Sequence, residues 1–166
     1  MVNKRLYEPY AGLLPEHVTF VFPVRESIGH LALEQHIITV LEPWKPFRIH
    51  FSRLMKTVDH WLFWIPEEGK EEAIGLHDEL YTGILSEHLR EDLPYTPHIG
   101  LGLFSREDYD FENPTAELTL DEDRYQQARK EFTEMNLDLW CTIDQLDLLS
   151  INDDFTECKR LHTFGL

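Results

Sequence analysis

The sequence predicts an α+β protein of two lobes, two pseudo-symmetric β-α-β-β halves with antiparallel sheets around a central cleft. Three observations predict it. Two stretches, residues 17–24 and 98–104, alternate large apolar residues with small or polar ones, and each opens on a histidine. Each is followed by a stretch with apolar residues at helical spacing and then by two further strand-like runs. The whole length, 166 residues, suits a single two-lobed domain over 1–166.

The elements follow in order. In 17–24, Val18, Phe20, Phe22 and Val24 face one way and His17, Thr19 and Val21 the other. Ser27 is placed to cap a helix running to about Glu42, where Leu33, Ile37, Val40 and Leu41 form a stripe and Pro43 ends it. Phe47, Ile49 and Phe51, and then Val58 to Ile65, read as a hairpin broken at Lys56-Thr57. Pro66 and Gly69 punctuate, and 71–90 returns to helical spacing through Ile74, His77, Leu80, Tyr81, Ile84, Leu85 and Leu89. Pro94 and Pro97 end that helix. In 98–104, Ile99, Leu101 and Leu103 share one face, and His98, Gly100 and Gly102 share the other. The polar stretch 105–119 reads as a site loop or lid. Asp121 caps a third helix carrying Tyr125, Ala128, Phe132 and Met135, ending near Asn136. Runs at 137–150 and 157–164, turned at Asn152-Asp153-Asp154, close the chain.

Composition narrows the function. The chain is 42% apolar and 12% aromatic, enough to build a core and to exclude disorder and a disulfide scaffold. Fifteen basic against 31 acidic side chains leave a formal charge of −16, which repels a long nucleic acid over most of the surface and still allows a local anion site. The only two cysteines, Cys141 and Cys158, lack metal or redox spacing and fit a reduced compartment. No stretch has the length of a signal peptide or membrane span, so the expected location is cytoplasmic, with no membrane partner.

The chemistry points to the two histidine strands. Side chains at i and i+2 share a strand face, so His17 and Thr19 project together, as do His98 and Gly100. An imidazole titrates near ~6.5 when unperturbed, so one ring can take a proton from water while a second, protonated, gives one to a leaving oxygen. A threonine hydroxyl beside them would hold a non-bridging phosphoryl oxygen. Such a set cleaves a phosphodiester without a metal. Arg25 and Arg106 each follow a histidine strand and are candidates to hold phosphate. The other seven histidines, His30, His36, His50, His60, His77, His88 and His162, form no metal-ligand pattern and read as structural. Trp61, Phe63 and Trp64 read chiefly as packing, with base stacking as the alternative use.

The motifs His17-Val18-Thr19 and Pro97-His98-Ile99-Gly100, 81 residues apart from histidine to histidine, resemble the paired H-x-[T/S] signatures of the two-histidine (2H) phosphoesterase superfamily, which includes 2'-5' RNA ligase-like proteins and cyclic nucleotide phosphodiesterases. The resemblance extends over most of the chain, through the final strand pair. It implies a 2H phosphoesterase-like fold, His17 and His98 as the acid/base pair, and Thr19 as a phosphate ligand. It further implies a small 2',3'-cyclic, 1'',2''-cyclic or 2'-5' phosphodiester, or a short RNA end, as substrate, with no cofactor and no metal. Gly100 departs from the pattern by replacing the second hydroxyl, for which the Thr96 side chain or the Gly100 N–H are the candidate substitutes. The alternative reading that follows from this departure is a non-catalytic phosphate- or nucleotide-binding module of the same fold.

Overall fold

The computed structural model describes residues 7, 12–24, 28–107, 118–152 and 156–166. Its elements run in order α1 (His30–Leu41), β1 (Phe47–Lys56), β2 (Trp61–Glu68), α2 (Lys70–Leu80), a 3-10 helix (Gly83–His88), β3 (Ile99–Leu103), α3 (Glu122–Glu134), β4 (Leu139–Ile143), β5 (Gln145–Ile151) and β6 (Cys158–Gly165). The α+β class with antiparallel sheets is as expected, and the larger sheet is curled. The strands distribute differently from a half-by-half division. One four-stranded sheet has the order β3-β2-β1-β4, so it takes strands from both halves, and β5 pairs with β6 as a separate ribbon.

The expected strand at 17–24 forms no ladder. Its apolar residues are used all the same: Phe20 is buried, and Val18 and Val21 pack against the core in place of Phe22 and Val24. Next to β3 the chain offers Tyr7 instead, whose carbonyl accepts the Leu103 N–H at 3.0 Å. Gly102 makes this approach possible, because a Cβ there would stand 2.6 Å from Tyr7 Cβ.

Helix α1 starts at Gly29 as its N-cap residue, and the expected cap Ser27 lies outside the described residues. Its stripe is as predicted, with Ile37 and Leu41 buried and Leu33 and Val40 packed beside them. The β1–β2 hairpin turns at 57–60, later than the Lys56-Thr57 break, because Thr57 both donates its N–H to Trp61 O and accepts the Trp61 N–H on Oγ1, each at 2.9 Å. Val58 is thereby left 96% exposed instead of opening a strand. Pro66 does not end β2; it sits opposite Phe51 between two register shifts, where the irregular pairing makes its missing N–H harmless.

The helix expected over 71–90 is two pieces. Helix α2 ends at Leu80, Thr82 is extended, and Gly83 takes a positive φ of 54° before the 3-10 turn, while Thr82 Oγ1 covers the Glu79 carbonyl at 2.7 Å. Ile84 and Leu89 consequently face solvent. Asp121 caps α3 as expected, accepting the Arg124 N–H at 3.3 Å, and Tyr125, Ala128 and Phe132 are buried. The run at 137–150 breaks at Asp144: β4 joins β1 and β5 joins β6.

The sheet has one face in the core and one open. Ile49, Phe51, Leu62, Trp64, Ile99 and Leu101 belong to the buried cluster with Ala73, Leu76 and Leu80 of α2. Phe63 and Ile65, which alternate with them, are half-exposed on the opposite side.

Candidate functional site

The second histidine sits at the mouth of β3 on the open side. Strand β3 begins at Ile99, and Gly100 pairs with Phe63 of β2. His98, one residue ahead of the strand, lays its ring on Phe63 with centroids 3.6 Å apart and planes within 15°. Its Nδ1 lies 2.6 Å from the Thr96 carbonyl oxygen. A carbonyl oxygen only accepts, so Nδ1 carries the proton, and in the neutral ring Nε2 is the basic nitrogen.

The first histidine repeats this arrangement without a strand. His17 Nδ1 lies 2.8 Å from the Pro15 carbonyl oxygen, again two residues upstream. The same reasoning puts the proton on Nδ1 and leaves Nε2 basic. Two residues on, Thr19 is half-buried, and its carbonyl accepts the Tyr95 hydroxyl at 3.0 Å. Phe22 N–H donates to the Tyr81 phenol oxygen, also at 3.0 Å. The first-motif segment is therefore attached through its backbone to side chains from the end of α2 and from the approach to His98.

Those side chains form a stack around the buried His77. The Tyr95 ring lies on His77 at 3.8 Å with planes within 8°, and His77 touches Tyr81 at 4.9 Å. His77 is only 4% exposed and holds Asp78 through Nδ1 at 2.8 Å. Burial, then the neighbouring Tyr81 and Asp78, push the Tyr95 phenol far above its ordinary value of 10.0. Burial raises Tyr81 as well, against the lowering effect of the Phe22 N–H. A raised acid in the folded state contributes stability that is complete below the unfolded value and is lost as the pH climbs through the folded one. Tyr95 follows this rule: above its ordinary value it loses its proton on unfolding, which favours the unfolded chain there. Urea unfolding is accordingly expected to give a level stability up to about pH 9 and a fall above about pH 10, less steep in Tyr95→Phe. An equally steep fall in that variant would remove Tyr95 as a cause.

The remaining predicted positions divide. Thr96 lies ahead of β3, which starts at Ile99, and its carbonyl holds His98 Nδ1. Arg106 is exposed, and its N–H closes the base of the 105–119 loop on Thr119 O at 2.9 Å. Arg25, and the middle of that loop at 108–117, lie outside the described residues. Among the histidines read as structural, His36 and His60 bond the carbonyls of Leu80 and Leu118, and His50 bonds Asp138. His50 also stacks on Trp140, with centroids 4.4 Å apart, on the sheet's open face, where Arg48 lies 4.3 Å from the same indole. Trp64 is in the core, whereas Phe63 supports His98, so the packing reading holds for one and a positioning use emerges for the other. A separate groove of about 550 Å³, between Gly12-Leu13 and the turn end of β5 and β6, is lined by neither histidine. The carbonyl contacts, the Phe63 platform and the Tyr95 bridge are features around the two histidines that sequence reasoning does not find. Only Tyr95, an aromatic three residues before His98, leaves a signal there.

In comparison with known families, the one described as the 2'-5' RNA ligase superfamily fits residues 2–155. The match includes both histidine motifs and stops short of β6. No curated protein matches the chain at a significant level. Among the described residues no helix is long and apolar enough to cross a membrane.

Proposed function

The chain belongs to the 2'-5' RNA ligase superfamily, whose kind is phosphoesterase-like, and from that premise we propose that it is a metal-independent phosphodiesterase using His17 and His98 as its acid/base pair. The substrate in this reading is a 2',3'-cyclic or 2'-5' phosphodiester on a small nucleotide or a short RNA end. The observation that carries it is the matched setting of the two imidazoles. Each binds Nδ1 to the carbonyl two residues upstream, which presents Nε2 as the nitrogen that exchanges protons.

The reaction needs one ring neutral and one protonated. The neutral ring accepts a proton from water at Nε2 as the water oxygen bonds to phosphorus. The bond from phosphorus to the departing ribose oxygen breaks, and the imidazolium gives that oxygen its Nε2 proton. The carbonyls of Pro15 and Thr96 serve both events, since each keeps its ring from rotating and holds the Nδ1 proton, which leaves Nε2 to exchange with the reacting oxygens. Thr19, two residues after His17, is the proposed hydroxyl donor to a phosphoryl oxygen, and the Gly100 N–H is the substitute for the missing second hydroxyl. Arg25 and Arg106 keep their place as candidate phosphate contacts. The −16 charge favours a substrate with few phosphates, because each further one meets the same field.

Phosphorus NMR of the protein in chelator, with a panel of 2',3'-cyclic nucleotides, a 1'',2''-cyclic phosphate and 2'-5' dinucleotides, tests the proposal. The expected result is conversion of a diester resonance to a monoester. No conversion of any member overturns the hydrolase reading. In that case, line broadening that disappears in Thr19→Val would assign the chain to the binding-module alternative.

A further inference from the structure

We propose that Tyr95 is a positioning residue that sets His17 against His98. The inference rests on the two-histidine reading above and adds to it the side chain that holds the pair in register. A strand ladder would ordinarily place the first motif, but 17–24 has none. What fixes it is the burial of Phe20, the Phe22 contact with Tyr81, and the Tyr95 hydroxyl on the Thr19 carbonyl. The last of these lies nearest to His17, two residues away.

The same stretch of chain sets the other histidine. Thr96, the residue after Tyr95, supplies the carbonyl that holds His98 Nδ1. The Tyr95-Thr96 dipeptide thus grips one motif by a side chain and the other by its backbone. Its own position is fixed from α2, because the Tyr95 ring lies flat on the buried His77. The phenol stays protonated well beyond neutrality, so the donor persists wherever an imidazole pair works. Proton transfer to a reacting group depends on sub-ångström placement, and a misplacement of about 1 Å can cost ~10²-fold.

Tyr95→Phe removes the hydroxyl and keeps the ring on His77. Its expected effect is a fall in kcat of about 10- to 100-fold with KM held within about 3-fold, because the bond positions a reacting group and does not bind substrate. The His17 imidazole resonances should shift and amide exchange over 17–22 should quicken, with the His98 resonances and the urea midpoint near wild type. A purely structural role would instead lower the midpoint and speed exchange throughout. That outcome overturns the proposal, and so does wild-type kcat together with wild-type exchange at 17–22. Should the wild-type protein turn over no diester, the phosphodiesterase reading fails by itself. The imidazole resonances and local exchange then decide the tie alone, with a shift confined to the first motif supporting it and no change overturning it.

Discussion

His98→Ala and His17→Ala are each expected to lower turnover of a cyclic phosphodiester by about 10²–10⁴-fold, with little change in the stability of the fold. The size follows from the proposed role, in which each ring moves one proton as the bonds at phosphorus exchange. The small effect on stability follows from position. Both rings are half-exposed, and the bond each makes is to a carbonyl that water can reach once the ring is gone. The double variant should lose far less than the product of the single losses, since a lone acid or base no longer completes the exchange. A pH–rate profile of the wild type is expected to be bell-shaped, and each single variant should lose one limb. Single variants within about 3-fold of wild type on every diester would exclude the pair as acid and base. Loss with one histidine alone would leave a single general acid or base.

Much of this site is legible in the sequence because it is written in residue types. Two histidines, each leading an alternating apolar run 81 residues apart, mark equivalent positions whether or not both runs become strands. The contacts that orient them are not legible. They end on main-chain carbonyls, of Pro15, Thr96 and Thr19, and a carbonyl leaves no trace in the sequence. Phe63 as a platform is hidden for a different reason. Its alternation with Leu62 and Trp64 says that it faces away from the core, but the partner on that face is set by the β2–β3 register.

The fold shows the same division. Stripes on α1 and α3 and the Asp121 cap are readable because they depend on neighbours three or four residues away. Residues 17–24 illustrate the converse: alternation of Val18, Phe20 and Phe22 reports which side chains want burial, and a strand also needs an edge to pair with. In this chain Tyr7 stands against β3 in that place. Likewise nothing at Asp144 announces that one extended run serves two sheets. Pairing is a long-range property, and 137–150 has the same local pattern on either side of the break.

Gly69→Ala is the second large effect, and it separates stability from chemistry. Gly69 joins β2 to α2 with φ at 74°, in the left-handed region, and its carbonyl accepts the Ala73 N–H at 3.2 Å to begin the helix. A Cβ there would overlap the Arg48 carbonyl oxygen and stand 2.8 Å from Ile49 Cα. Both neighbours are backbone of β1, so no side chain can swing aside. The left-handed conformation costs a non-glycine residue about 1–2 kcal/mol, and forcing β1 and the helix start apart adds roughly 1–3 kcal/mol. A loss of about 2–5 kcal/mol is expected from urea unfolding. Gly29→Ala is the matched control: Gly29 has φ of −59°, and among the described residues nothing lies within 4 Å of where its Cβ would stand, so its change should stay within about 0.5 kcal/mol. Equal stabilities for the two variants would refute the account of Gly69. The strand that Gly69 crowds also pairs with β2, which carries Phe63 beneath His98, so the folded fraction offers a second reading. If the strain is released by unfolding, activity of Gly69→Ala should fall in proportion to the unfolded population and kcat per folded molecule should hold. If β1 instead yields within the folded state, kcat itself should drop, through a shift of the His98 platform.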